Sequence, residues 1–121
     1  MPRRDDIKKA NVILDRDLAA SVDDSIKAHK FSEEARHAIH RLIKLYNSSP
    51  EHLAQKVGSY SARLYRARSV GFTKRLAVEF PKEDLARLAE ALKHLQSRDL
   101  KLSQQEFIYI AIIDFKKGRH P

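Results

Sequence analysis

Two stretches of this chain repeat one order of patterns, and this repetition constrains the fold more than any other feature. Each begins with a short run that alternates apolar and polar side chains, the period of a β-strand, and continues with two segments of helical periodicity. The first stretch spans residues 1–46 and the second spans residues 74–121. A lone strand with two helices leaves unpaired edges and an apolar face without a partner. We therefore expect the two halves to form one domain in which their strands pair.

In the first half, alternation predicts a strand over residues 9–14, followed by two helices. The apolar face of the strand comprises Ala10, Val12 and Leu14, and the outward face comprises Lys9, Asn11 and Ile13. Asp15 supplies an N-cap carboxylate for the first helix, which we expect to end near His29. Ser32 is expected to cap the second helix. The apolar stripe of that helix comprises Ala35, Ala38, Ile39, Leu42 and Tyr46.

The second half predicts the same order, beginning with a strand over residues 75–80 and ending at Pro81. Its inward residues are Leu76, Val78 and Phe80, and its outward residues are Arg75, Ala77 and Glu79. A third helix is indicated by Leu85, Leu88, Ala89, Leu92 and Leu95. Ser103 and Glu106 have the spacing of a capping box and open a fourth helix. This helix is apolar nearly all round, so it is expected at the centre of the core, with Gly118 as its stop.

Residues 47–73 form a basic connector between the two halves. Ser49 followed by Pro50 is typical of a helix start. A weaker apolar stripe follows at Leu53, Val57, Tyr60 and Leu64. The four basic residues of the connector, Lys56, Arg63, Arg66 and Arg68, stand against one acid, Glu51, which gives a net charge of +3. The interpretation is a basic helical segment.

Composition limits the class of protein and of partner. The 121 residues fit one domain, 1–121, and 42% hydrophobic residues suffice for a core. With 24 Lys and Arg against 16 Asp and Glu, the net charge of +8 favours an anionic partner, nucleic acid first and an acidic membrane surface second. The chain has no cysteine, which excludes disulfides and thiolate metal sites. No apolar run approaches the roughly 20 residues of a membrane span, so we expect no membrane insertion and a cytoplasmic location.

The two predicted strands give this charge a geometry. If they pair antiparallel, one face of the ribbon enters the core and the other stays outside. The outer face carries Lys9, Asn11, Arg75 and Ala77, which have no role in the core. A two-stranded ribbon fits the major groove of B-DNA, where Asn bonds adenine edges and Arg or Lys bond guanine edges. The pattern therefore predicts binding to double-stranded DNA.

The order of these segments resembles a known family. The strand at residues 75–80, a helix, the Leu102-Ser103 pair and an apolar helix ending Phe115-Lys116-Lys117-Gly118 are similar to the ribbon-helix-helix repressors. The resemblance implies that outward strand residues read the groove and that the start of each second helix binds phosphate. The implied groove readers are Lys9, Asn11, Arg75 and Ala77, with Ile13 and Glu79 at the ends, and the implied phosphate-binding residues are Ser32 and Ser103. Gln104, Lys74, Arg63 and Arg66 complete the predicted DNA-binding set.

Two copies in one chain narrow the resemblance to single-chain members of this family. These include TraY-type conjugation proteins and the overdrive-binding virulence proteins encoded by the virC operon of Agrobacterium-type tumour-inducing plasmids. The implied fold is mainly α, a tandem pseudodimer with one two-stranded antiparallel ribbon packed on four main helices plus a connector helix. The implied function is that of an accessory protein in T-DNA or plasmid strand processing and transfer. The implied partners are double-stranded DNA, a ParA-like ATPase and the relaxase complex, with the protein itself a monomer.

Other interpretations remain open at this stage. The same fold also serves plasmid-encoded transcriptional repressors, and a basic face can dock an acidic protein. The outward strand residues could be an ordinary solvent face, and so could Arg63, Arg66 and Lys56, which fall on one face of the predicted connector helix.

Catalysis and metal binding are not expected. His37 and His40 have a spacing able to share a metal ion, but the basic residues around them oppose a cation. The sequence has no glycine-rich phosphate loop, no carboxylate pair at an apolar site and no Ser-His-Asp arrangement. The prediction is a protein without cofactor, metal or enzymatic activity.

Overall fold

Two strands and six α-helices make up the part of the chain that the computed structural model describes, residues 6–22 and 25–119, apart from the side chains of Ser21, Ser25, Ile26 and Arg119. The strands are β1 (Ile7–Leu14) and β2 (Lys74–Pro81). The helices are α1 (Arg16–Ala19), α2 (Ser25–Ser48), α3 (Pro50–Ser59), α4 (Ser61–Val70), α5 (Lys82–Ser97) and α6 (Gln104–Arg119), and a 3-10 turn, Ala20–Val22, extends α1. Within these ranges no helix is both long enough and apolar enough to cross a membrane.

The two strands pair with each other as an antiparallel ribbon. Asn11 lies opposite Ala77, Lys9 opposite Glu79 and Ile13 opposite Arg75. The inner face is buried through Ala10, Val12, Leu14, Val78 and Phe80. The predicted antiparallel ribbon with one apolar face is therefore confirmed. Pairing of a strand from the first half with a strand from the second half holds the two halves together.

α6 is the central helix of the core. Every residue from Phe107 to Ile113 is buried, and the helix packs against α2, α5 and β1. Its start is the predicted capping box: the Ser103 N–H donates to Glu106 Oε1 at 2.9 Å, and the Glu106 N–H donates to Ser103 Oγ at 3.1 Å. A helix apolar on all sides is stable only when surrounded, which is how this one lies.

The end of α6 differs from the prediction. Gly118 does not stop the helix, which includes Arg119. A Cβ at position 118 would lie 3.0 Å from Arg41 Nη1, so the glycine lets the guanidinium of Arg41 lie against the last turn. A cation there is favoured by the partial negative charge of a helix C-terminus.

The first half departs from the predicted pair of helices that meet between His29 and Ser32. Asp15 caps α1 as expected, with Oδ1 accepting from the Leu18 N–H at 2.9 Å. However, α1 ends at Ala19, and α2 then runs without interruption from Ser25 to Ser48. The predicted boundary between His29 and Ser32 is wrong.

Ser32 lies inside α2 and caps nothing. Its Oγ donates to the carbonyl oxygen of Ala28 at 3.0 Å, the bond of a serine within a helix. The neighbouring Phe31 is buried and extends the apolar stripe of Ala35 and Ile39 toward the N-terminus. Burial of this aromatic ring in a continuous stripe outweighs the capping preference of serine, so the helix continues through it.

The remaining predicted stripes differ in detail. In α5, Leu85, Leu88 and Leu95 are buried as predicted, but Ala91 takes the place given to Ala89, which is exposed. At 100° per residue, Ala89 is turned away from Leu88, whereas a residue three positions on returns to the same face.

The connector is two helices that meet at Tyr60. Ser49 Oγ accepts from the His52 N–H at 3.3 Å, and Pro50 opens α3, as predicted. The predicted stripe is buried at all four of its positions, Leu53, Val57, Tyr60 and Leu64. Gly71 ends α4 with φ +94°, a conformation that favours glycine, and the chain then enters β2.

Candidate nucleic-acid interface

The outer face of the ribbon carries the predicted groove readers. Lys9, Asn11, Arg75 and Ala77 are all exposed, and so is Glu79. The structure therefore brings these five side chains together on one surface.

Ile13 does not belong to that surface. It is only 5% exposed and lies within the core cluster, so its predicted place at the edge of the readers is wrong. The last three residues of β1, Val12, Ile13 and Leu14, are all buried. The chain turns into α1 directly after Leu14 and α1 packs back against β1, which encloses this end of the strand.

The register divides the outer face into three cross-strand pairs of different chemistry. At one end the ammonium of Lys9 stands opposite the carboxylate of Glu79. In the middle Asn11 stands opposite Ala77, and at the other end Arg75 stands opposite the buried Ile13. Side chains directly opposite on one face are neighbours, with Cβ atoms about 4.5–5.5 Å apart. Opposite charges thus offset each other at the Lys9 end, while Arg75 keeps its full charge.

Two further basic residues fasten the ribbon to the helices. Lys74 alternates onto the face opposite Arg75, and its Nζ donates to the carbonyl of Val22 at 3.1 Å. Arg36 of α2 donates from Nη1 to the carbonyl of Glu79 at 3.4 Å. The structure therefore places Lys74 on the inner side of the ribbon and not on its outer face.

The start of α6 holds Ser103 and Gln104 and is reinforced by a residue that sequence reasoning left outside the site. Arg68 of α4 binds the Glu106 carboxylate with two nitrogens, and its Nη2 also donates to the Lys101 carbonyl at 3.2 Å. The hydrogen bond from Arg68 holds the pKa of Glu106 below its ordinary value. Because 38 residues separate the two, no local pattern indicates the pair.

This arrangement leaves backbone donors at the start of α6. The first N–H groups of a helix have no acceptor within it. Ser103 Oγ satisfies the N–H of Glu106, so the N–H groups of Gln104 and Gln105 are the ones available to an anion. Arg68 offsets the negative charge that Glu106 would otherwise place beside them. The corresponding role implied for Ser32 loses its basis, because N–H groups inside a helix are already bonded.

A cleft lies between α4 and the turn that follows β1. We call it the connector cleft; it has a volume of about 640 Å³ and is lined by Asp15, Arg16, Asp17, Ser59, Ala62, Arg63, Arg66, Ala67, Val70, Gly71 and Tyr109. The Tyr109 hydroxyl donates to Asp15 Oδ2, and the Arg63 guanidinium lies nearby. Burial and then the bond to Asp15 raise the pKa of Tyr109 to about 12. Arg16, Arg63 and Arg66 therefore surround a neutral phenol and an engaged carboxylate.

Lys56 does not share a face with Arg63 and Arg66, contrary to the prediction, because the connector breaks at Tyr60. Its Nζ lies 3.3 Å from Oδ1 of Asp114, a buried acid of α6. The Tyr60 hydroxyl donates to the same Oδ1 at 2.7 Å, and burial followed by this bond raises the pKa of Tyr60 to about 12. In the sequence, Asp114 is distinguished only as an acidic residue in an apolar helix, so its contacts with Lys56 and Tyr60 could not be predicted. Its cluster attaches the connector to α6.

The two histidines with metal-compatible spacing point to different neighbours. His37 stacks on Phe115 with ring centroids 6.5 Å apart, and His40 Nδ1 lies 3.8 Å from Asp84 Oδ2. Across the residues that the structure describes, no three His, Asp or Glu side chains are grouped to hold a metal ion. Among the tyrosines, Tyr65 is 72% exposed, while Tyr109 is in the core.

Comparison of the chain with protein-family models, with curated proteins and with solved structures gives no significant match. The ribbon, the start of α6 and the connector cleft are therefore the features of the molecule that bear on its function.

Proposed function

We propose that the protein binds double-stranded DNA by inserting the outer face of its ribbon into the major groove. The observation that carries the proposal is the outer face itself: Lys9, Asn11 and Arg75 are exposed together on a two-stranded ribbon of a chain with net charge +8. The major groove is wide enough for such a ribbon, and these three side-chain types bond base edges there. Nothing in the packing of the core requires them.

Both strands of the ribbon come from one chain, so we propose that it is a tandem ribbon-helix-helix pseudodimer that binds as a monomer. The register supports this, because the pair Asn11 and Ala77 lies near its middle, with four residue pairs on one side and three on the other. A pseudo-two-fold axis at that point would relate β1 to β2. The second half follows the strand-helix-helix order, and the first half modifies it with a short α1 and a long α2.

For the biological role, we propose an accessory protein in T-DNA or plasmid strand processing, acting beside a relaxase complex and a ParA-like ATPase. This role follows from the resemblance of the sequence. A plasmid-encoded repressor on the same fold is the second candidate, favoured by the same groove-reading surface. Footprinting on a border and overdrive fragment and on the promoter of the protein's own operon separates the two, since each role predicts protection of one fragment.

The binding proposal is tested by titrating fluorescent duplexes with the full chain over a range of salt concentrations. Log K is expected to fall linearly with log salt, with a slope of about −0.9 per phosphate neutralised. The variant Arg75→Gln should bind more weakly, whereas Arg87→Gln should not, because Arg87 lies on α5 and pairs with Glu90. A chain that retains no duplex even at low salt is not a DNA-binding protein. If the chain binds an acidic protein and no duplex, this result would instead support the alternative of a protein-interaction module.

A further inference from the structure

The connector cleft adjoins the end of the ribbon that carries Arg75. Leu14 pairs with Lys74 at this end, and Arg16 follows Leu14 by two residues. On the other strand, Gly71 precedes Lys74 by three residues. The cleft therefore lies next to one end of the ribbon and away from the other end.

Among the described residues, the arginines that line the connector cleft form no ion pairs. In the part of the chain that the structure describes, the arginines in ion pairs are Arg68, Arg87 and Arg98. Both oxygens of Asp15 are occupied, by the Leu18 N–H and the Tyr109 hydroxyl. The planar guanidinium group is the donor best suited to phosphate oxygens.

Within the residues that the structure describes, the balance of charge differs between the two ends of the ribbon. At the Arg75 end the ribbon and the connector cleft carry five cations, Arg16, Arg63, Arg66, Lys74 and Arg75, against two carboxylates, Asp15 and Asp17. At the Lys9 end the ribbon, the start of α5 and the bonded Arg36 carry four cations, Lys8, Lys9, Arg36 and Lys82, against four acids, Asp6, Glu79, Glu83 and Asp84. Of these described residues, those at the Arg75 end therefore attract a polyanion more strongly.

We infer that the protein binds DNA in one direction: the connector cleft binds backbone phosphates on the flank of the site next to Arg75, and the described residues at the Lys9 end form no equivalent cluster of arginines. This inference rests on the proposed function and deepens it. It predicts a target without two-fold symmetry. It also gives the two-helix connector a role in setting the orientation of the protein on a duplex.

The direction is tested with a tethered cleavage reagent. Because the chain has no cysteine, a single introduced one carries an iron chelate at a known place. Ala62→Cys places it in the connector cleft, and Glu83→Cys places it at the other end of the ribbon, both at exposed positions. The probe is the duplex enriched by the full chain from a random library. We expect Ala62→Cys to cleave one flank and Glu83→Cys the other, whereas equal cleavage of both flanks by Ala62→Cys would overturn the inference.

The grip on phosphate is tested on the same duplex with the double variant Arg16→Gln/Arg66→Gln. Its salt slope should be less steep than that of the natural chain by about 1.8, the value for two lost phosphate contacts. The matched control is Arg87→Gln/Lys93→Gln on α5, which removes the same charge and should leave the slope unchanged. Methylphosphonates can replace the phosphates on the flank that the Ala62→Cys reagent cleaves. This replacement should weaken DNA binding by the natural chain and should not weaken DNA binding by the double variant.

The outcomes separate the two proposals. Failure of the natural chain to bind any duplex removes the proposed function. Binding with equal salt slopes for the two double variants keeps the proposed function and removes the cleft as a phosphate site. If the Arg16→Gln/Arg66→Gln variant loses binding to an acidic peptide while its DNA binding is unchanged, the cleft binds a protein partner and the inference is overturned.

Discussion

Arg75 differs from the other exposed arginines because it lies on the ribbon and its cross-strand partner is an apolar residue. Ile13, opposite it, has no charge to offset the guanidinium. Lys9, at the equivalent position of the other strand, faces Glu79. Two residues that alternation makes equivalent in the sequence are thus unequal in the structure, since the difference comes from what pairing brings opposite them.

Replacing Arg75 with alanine is expected to weaken binding to the selected duplex by about 1–3 kcal/mol, the value of a bidentate contact to guanine. The loss should be larger on that duplex than on random DNA, because a base contact distinguishes sequences. Competition titration with both duplexes measures the difference, with Arg87→Ala as the control. An equal loss on the two duplexes would make Arg75 a phosphate contact.

Tyr60 makes a residue-scale contribution to stability that can be measured against a matched control. Its hydroxyl donates to the buried carboxylate of Asp114, and Tyr60→Phe removes that donor. We expect the free energy of unfolding to fall by about 1–3 kcal/mol, as for a lost hydrogen bond to a charged group. Tyr65→Phe, at an exposed position, should change it by less than about 0.5 kcal/mol. Urea unfolding of both variants provides the comparison. Equal changes in the free energy of unfolding would mean that the Asp114 cluster does not stabilise the attachment of the connector to α6.

At the scale of elements, the periodicity of apolar residues predicted the strands and helices better than single capping residues predicted their boundaries. The ribbon, α5 and α6 follow from apolar spacing over many residues. Boundaries that depend on one polar residue were less secure: Ser103 caps a helix and Ser32 lies inside one, although both stand in similar surroundings in the sequence. The difference is set by tertiary packing, since Phe31 is fully buried beside Ser32 and carries the helix through.

The contrast between these serines can be measured. Ser103→Ala removes the acceptor for the Glu106 N–H and is expected to cost about 1 kcal/mol of stability. Ser32→Ala should be neutral or slightly stabilising, because alanine is the better residue inside a helix. Chemical denaturation of the two variants compares them directly. A larger loss for Ser32→Ala would mean that α2 does begin at Ser32.

Two tyrosines hydrogen-bond other elements to α6, and their pKa values predict how the free energy of unfolding changes at high pH. In the folded chain the pKa values of Tyr60 and Tyr109 are raised from 10.0 to about 12, mainly by burial. Between these values the unfolded chain holds fewer protons than the folded one, so the free energy of unfolding falls as pH rises. Their contribution is fully present below pH 10 and is lost toward pH 12. Tyr60→Phe/Tyr109→Phe should flatten this decline in urea unfolding across that range, and an unchanged slope would contradict the assignment.

At the scale of the whole molecule, the part that sequence could not supply lies in contacts between distant elements. Alternation predicted which strand residues face outward, because a period of two needs no tertiary information. The pairs Arg68 with Glu106 and Lys56 with Asp114 join residues 38 and 58 positions apart, and the connector cleft exists only because α4 packs beside the turn after β1. Composition gave the charge of +8, and only the fold shows which of the described charges lie at each end of the ribbon.

The ribbon also determines how many chains the complex with DNA should contain. Because β1 and β2 of one chain already form the ribbon and bury its inner face, a second chain has no strand to supply. Sedimentation of the free protein should give the mass of one chain, 14.0 kDa, and titration of the selected duplex should saturate at one chain per site. Dilution should not weaken binding beyond mass action for a monomer. An obligate dimer with strands exchanged between chains would make the ribbon intermolecular, restore two-fold symmetry, and remove the basis for a directional complex.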